Sequence, residues 1–245
     1  MVHDVQRYPE KVFWYKAEMQ NNRVILPVDI CSNKNGVIFI LYAGAACVHV
    51  IDRSVIANAR VVGTYMGPCL SAYTSKNILS GIRFSNHLGD ITIDDEDNIY
   101  ISDSGRHEIV IIYKFTGDKP TGLFYTLKVD AMSIVYTDNL MLLKRIGTDK
   151  VMQKLSFTVP SKAGPSKNFN LKFTVLMNVV LSTEVSLKKL FYIPLAKYVG
   201  AFGEDYNLVM IKLQSKNSFA ITKLRSRWPN VFIPNVHYTE TNYSL

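Results

Sequence analysis

The chain is poor in the residues that staple, chelate or cradle. Its 245 residues include three cysteines, nine prolines and two tryptophans. No Cys-x-x-Cys occurs, which excludes zinc ribbons and dense disulfide scaffolds. The five histidines (His3, His49, His87, His107 and His237) include no pair at the helical spacing of a zinc site. No Gly-x-Ser-x-Gly elbow is present. The stretch AGPSKN, residues 163–168, lacks the second glycine and the Gly-Lys-Ser/Thr ending of a phosphate loop. No cofactor motif is found, and no cofactor or metal is expected. No apolar run approaches the ~18 residues that span a bilayer, so no membrane span is expected. The net charge is +8, yet the lysines and arginines are scattered. A nucleic-acid reader would show a basic stripe interleaved with aromatics or a known module. No nucleic-acid partner is expected, and the charge reads as a solvated surface with weak attraction for acidic partners.

What is present is β-pattern. Short apolar runs such as Val24–Ile30, Val37–Leu41, Val48–Asp52, Asp90–Asp94, Asn98–Asp103 and Glu108–Lys114 are separated by turn residues. Such spacing indicates a sandwich, barrel or propeller. Only residues 54–60 and 177–189 have a pattern that permits helix. A repeat favours the propeller. Residues 28–52 align with residues 89–113: an apolar strand after Asp, a polar turn, a second strand, a glycine loop, a third strand. Asp29 and Asp90 are 61 positions apart, as are Asp52 and Tyr113. Weaker copies start at Val129 and run from Val180 to Leu213. Stacked blades bury both faces of each sheet, which accounts for the unbroken apolar run Val37–Leu41. The expectation is an all-β propeller with about four four-stranded blades. Their bounds are 24–80, 81–128, 129–175 and 176–225, with a blade remnant over 1–23 and a tail over 226–245.

The run Asp94-Asp95-Glu96-Asp97 looks at first like a cation site. It lacks the glycine and the alternating oxygen ligands of a calcium loop. The earlier copy has Ser32-Asn33-Lys34-Asn35-Gly36 at that place, with no carboxylate. The run is therefore read as a hairpin corner, where Asp and Asn satisfy turn amides. Asp29, Asp90 and Asp103 are the better site candidates. In a propeller they can converge at one mouth of the central channel and receive a cation or an amine. The competing reading is that each carboxylate accepts backbone hydrogen bonds and pins a loop. Tyr42 is the candidate for an aromatic wall.

In order along the chain stand Tyr8-Pro9, Val28-Asp29-Ile30-Cys31 and Val37–Gly44, then Cys47–Asp52. Ile99–Gly105 leading to Tyr113 follows, and last Leu190-Phe191-Tyr192-Ile193-Pro194-Leu195-Ala196. In this order the chain resembles the major royal jelly and Yellow proteins of insects over roughly residues 7–200. It departs from them where Tyr42 replaces the Asp of their Asp-Ser-Gly motif, and it lacks counterparts of their first and last segments. The resemblance implies a six-bladed propeller of which this chain supplies about four blades. It implies a disulfide between Cys31 and Cys47; two buried thiols are the alternative reading. Closing that loop would contribute about 3 kcal/mol and would place the chain in an oxidising compartment. Cys69 is left over. An extracellular setting is thus implied, although the first twenty residues, with Asp4, Arg7, Glu10, Lys11, Lys16 and Glu18, are too charged for a signal peptide. The functions implied are binding of a small aromatic or amine ligand, in cuticle pigmentation or the melanin pathway. A dopachrome-converting activity is the enzymatic alternative, with His107 its candidate base. A truncated copy without function is the third.

Overall fold

The computed structural model describes residues 18–20, 23–25, 27–51, 64–67, 76–79, 81–116, 119–161, 170–181, 187–193, 196–203, 207–215 and 218–225. The helix window at 54–60, Cys69, Tyr8-Pro9 and the segment 226–245 lie outside them. Among the described residues there are strands and turns and no helix.

The strands fall into four successive sheets that follow the chain. A small hairpin, β1 (Glu18–Gln20) and β2 (Arg23–Ile25), precedes them. The first blade is β3 (Pro27–Ser32), β4 (Ile38–Tyr42), β5 (Cys47–Ile51), β6 (Thr64–Met66) and β7 (Lys76–Leu79). The second is β8 (Leu88–Ile93), β9 (Ile99–Asp103), β10 (Glu108–Ile112) and β13 (Phe124–Leu127). A two-stranded excursion, β11 (Phe115–Thr116) and β12 (Lys119–Pro120), interrupts it. The third is β14 (Ser133–Tyr136), β15 (Leu140–Ile146), β16 (Asp149–Ser156) and β17 (Thr174–Leu181). The fourth is β18 (Leu187–Ile193), β19 (Tyr198–Gly203), β20 (Asn207–Ser215) and β21 (Ser218–Arg225). Each sheet is an antiparallel meander, except that β7 adds to β6 in parallel and gives the first blade a fifth strand.

The first strands of successive blades, β3, β8, β14 and β18, lie side by side in that order. Radial meanders whose inner strands neighbour one another are a β-propeller. The packing follows from the alternation of each strand. Phe39, Leu41, Val48 and Val50 meet Ile91, Ile99, Ile101 and Val110 between the first and second blades. The other face of the second blade, with Tyr100, Ile109 and Ile111, meets Ile134, Leu140 and Leu142 of the third. Met141, Leu143 and Met152 then meet Leu190, Val199 and Ile211 of the fourth. Both faces of β9 and β10 are buried along their whole length. That double burial is what the unalternating apolar runs encode.

Three expectations are corrected. The third blade does not end at 175: β17 crosses the expected boundary and pairs with β16 from Lys150↔Leu181 to Ser156↔Thr174. The helix window at 177–189 is strand at both ends, in β17 and β18. Its apolar residues alternate with a period of two, Met177, Val179 and Leu181 pointing inward. The third concerns the cysteines: no disulfide joins Cys31 and Cys47. Cys31 carries a free thiol. It lies opposite Phe39, whereas Cys47 lies opposite Tyr42. Phe39 and Tyr42 point to opposite faces of β4, and so do the two sulfurs. Strands β3 and β5 also flank β4, two strand spacings or about 9.6 Å apart. A disulfide needs Cα atoms within about 7 Å. Burial, helped by the Asp29 charge, pushes the Cys31 thiol up to about 12, so it stays protonated.

Candidate functional site

The corner between the first two strands of a blade is built the same way twice. In the first blade, Asn33 Oδ1 accepts hydrogen bonds from the amides of Asn35 (3.0 Å) and Val37 (2.9 Å). In the second, Asp94 Oδ1 accepts from Glu96 (2.9 Å) and Asn98 (2.8 Å), each 61 positions on. The left-handed residue falls at Gly36 (φ 79°) and at Asp97 (φ 63°), again 61 apart. Asp97 is buried and takes Lys34 at 3.2 Å from the first blade's corner. The acidic run is a hairpin corner in which the carboxylates of Asp94 and Asp97 are turned onto the protein itself, while Asp95 and Glu96 are exposed.

The inner strands repeat a second device, and here the candidates meet. Asp29 Oδ2 on β3 accepts from the amide of Ile91 on β8 at 3.0 Å. Asp90 Oδ2 on β8 accepts from the amide of Ile134 on β14 at 3.0 Å. Ser133 Oγ on β14 accepts from the amide of Leu190 on β18 at 2.8 Å. In each case the residue before the donating amide is the next member of the series: 29, 90, 133, 189. Lys189 therefore occupies in the fourth blade the place that Asp29, Asp90 and Ser133 hold in the others.

Its side chain crosses the axis. Lys189 Nζ lies 2.8 Å from Asp29 Oδ1 and 3.4 Å from Asp90 Oδ1. Ser133 Oγ donates to Asp90 Oδ2. The side chains of Asp29 and Asp90 are 15% and 7% exposed, that of Lys189 40%. Burial pushes the Asp90 carboxyl up, against the pull of the Lys189 ammonium and the Ser133 hydroxyl. Burial also acts to lower the Lys189 pKa, but Asp90 and Asp29 together outweigh it and hold the ammonium above its usual range. Lys189 is thus a charged donor here and not a free-amine nucleophile. Two carboxylates around one ammonium, next to a buried hydroxyl, form an arrangement built to hold a protonated amine.

The other two candidates lie elsewhere. Tyr42 is on the face of the first blade away from the second, among Ile40, Ala45, Cys47 and Ile51, with its ring 4.7 Å from that of His49. Asp103, at the end of β9, is buried and accepts from Ser85 N at 2.7 Å and from Ser85 Oγ. It fastens the segment leading into β8, as the loop-pinning reading expects. His107 sits on an exposed turn in a left-handed conformation (φ 52°), 3.5 Å from Asp130. Lys189 and Ser133 escaped the sequence reading because the residue type changes round the ring. The signal available was positional: each lies within the first three residues of its blade's first strand, as Asp29 and Asp90 do. Among the described residues no group of three His, Cys, Asp or Glu side chains is placed to hold a metal ion.

No protein-family model matches the chain and no curated protein matches it. Among solved structures it is similar to virginiamycin B lyase from Staphylococcus aureus, at 10% identity and a TM-score of 0.48, over 86% of this chain and 59% of that one. A streptogramin B lyase is similar at 9% identity and 0.48, over 82% and 55%. A chain of a nidogen/laminin complex is similar at 10% and 0.45, over 84% and 72%. The chain spans less than two thirds of the length of the two lyases.

Proposed function

We propose that this chain is a binding propeller akin to the Yellow and major royal jelly proteins, and that its axis receives the ammonium group of a small aromatic amine. The observation that carries the reading is Lys189, whose ammonium sits between Asp29 and Asp90. The protein's own side chain marks where a ligand amine would go. Being two-fifths exposed, Lys189 can swing aside and yield the place. The kinship rests on motif order along residues 7–200, without the cysteine pair that first supported it. Tyr42 and Asp103 take no part in this site.

The test is calorimetry on the full chain with tyramine, and with p-cresol as the same ring without an amine. Tyramine should bind and p-cresol should not. Lys189→Met removes the competing ammonium and should tighten tyramine binding about tenfold, equivalent to ~1.4 kcal/mol. Asp90→Asn should weaken it. The reading fails if neither wild type nor Lys189→Met binds tyramine, or if p-cresol binds equally well.

A further inference from the structure

A second concentration of charge lies off the axis, on the outer strands of the second blade. A cleft of about 270 Å³ opens there, on the side that faces the first blade. Arg83, Arg106 and Lys128 line it, with Glu108, Val110 and Phe124. Glu108 is the floor, its side chain only 3% exposed. Arg106 Nε contacts Glu108 Oε1 at 2.8 Å, and Lys128 Nζ bonds to Glu108 Oε2. Burial acts to raise the Glu108 pKa, but Lys128 and Arg106 outweigh it and hold the carboxyl below its usual range.

The charges do not balance. One carboxylate faces two cations, and Arg83 makes no ion pair among the described residues. The cleft therefore carries an excess of two positive charges. Arg106 uses Nε on Glu108 and is 45% exposed, and Lys128 is 55% exposed. Each has donors left for a ligand. Glu108 fixes both heads at the rim, which removes most of the ordering cost that exposed lysines and arginines otherwise meet on binding. Phe124 and Val110 supply an apolar wall beside them. A site of this size suits a small ligand.

We propose that this cleft binds a small organic phosphate monoester: a dianion for the two unbalanced charges, and a ring or short chain for the wall of Phe124 and Val110. Guanidinium groups match phosphate oxygens in pairs. The site is separate from the axial one, so either reading stands if the other fails.

Calorimetry of the full chain with phenyl phosphate tests it, with inorganic phosphate as the ligand lacking the apolar part. Phenyl phosphate should bind at one site, more tightly than inorganic phosphate and more weakly as salt rises. Arg83→Met, an exposed change with no ion pair to break, should weaken binding about tenfold through loss of charged hydrogen bonds. Arg145→Met, an exposed cation on the third blade, should leave affinity unchanged. The proposal is overturned if phenyl phosphate gives no binding heat. It is equally overturned if both arginine variants lose affinity alike, or if inorganic phosphate binds as tightly as phenyl phosphate.

Discussion

Asp94 and Asn33 stand at the same corner of successive blades but carry different loads. Asn33 satisfies two amides. Asp94 satisfies two amides and also accepts from Asn98 Nδ2 and the Tyr100 hydroxyl, both at 2.7 Å. Asp94→Ala leaves four donors without an acceptor in a buried setting and should cost about 3 kcal/mol, whereas Asn33→Ala should cost about 1–2 kcal/mol. Urea unfolding of the two variants measures the difference, and equal losses would refute it. Glu108 gives a residue-level prediction in pH. Its pKa is depressed in the folded chain. Its contribution is therefore complete above the ordinary Glu value of about 4.3 and is lost as pH falls through the lower folded value. Glu108→Gln should flatten the acid limb of the stability profile, seen as a smaller loss in thermal midpoint between pH 5 and about pH 3 than in the wild type.

The strand-level design is visible in β18 and β19. Gly200 lies opposite Phe191, and the Phe191 ring covers the place where a Cβ would stand, with Phe191 Cζ 2.0 Å from that point. The ring is held in turn by stacking on Phe202 at 4.8 Å. An aromatic ring shielding a cross-strand glycine is a known way to pin register. Gly200→Ala has to displace a ring that has a stacking partner, and should destabilise by about 1–3 kcal/mol. Chemical denaturation checks this, and a neutral substitution would mean that the ring moves freely. This is also the scale at which the sequence was most legible. The 61-residue repeat survives in detail: Asn33 with Asp94, Gly36 with Asp97, and Ala46 with His107, the last two both left-handed at φ 52°. Turn chemistry tolerates few residue types, so corners stay recognisable in sequence. The disulfide that the resemblance implies for Cys31 and Cys47 is absent because motif order along the chain says nothing of face. Which side of a sheet a residue occupies depends on register, and a shift of one position reverses it. The boundary at 175 was missed for a related reason: β17 is separated from its partner β16 by residues 157–173, so proximity along the chain did not reveal the pairing.

At the scale of the molecule, the ring of positions 29, 90, 133 and 189 does what apolar packing between blades does not. The interfaces built around Phe39, Tyr100 and Met141 are non-directional, and sheets that meet only through them can slide. The side-chain-to-amide bonds from each inner strand to the next fix the stagger of one blade against its neighbour. The ring was half legible in the sequence: two members share an Asp, but the third is a Ser and the fourth a Lys, joined by geometry and not by residue type. Ser133 is the member that serves two blades at once. Its hydroxyl donates to Asp90 and accepts from the Leu190 amide, and the residue has no exposed surface. Ser133→Ala should leave that amide unpaired and cost about 2 kcal/mol globally. The effect should also be uneven. Amide hydrogen exchange should quicken in β18 and β19, whose anchor is gone, more than in β4 and β5, whose link through Asp29 to Ile91 is intact. Uniform quickening across all four blades would show that the ring is not what couples them, and that the propeller opens as one cooperative unit.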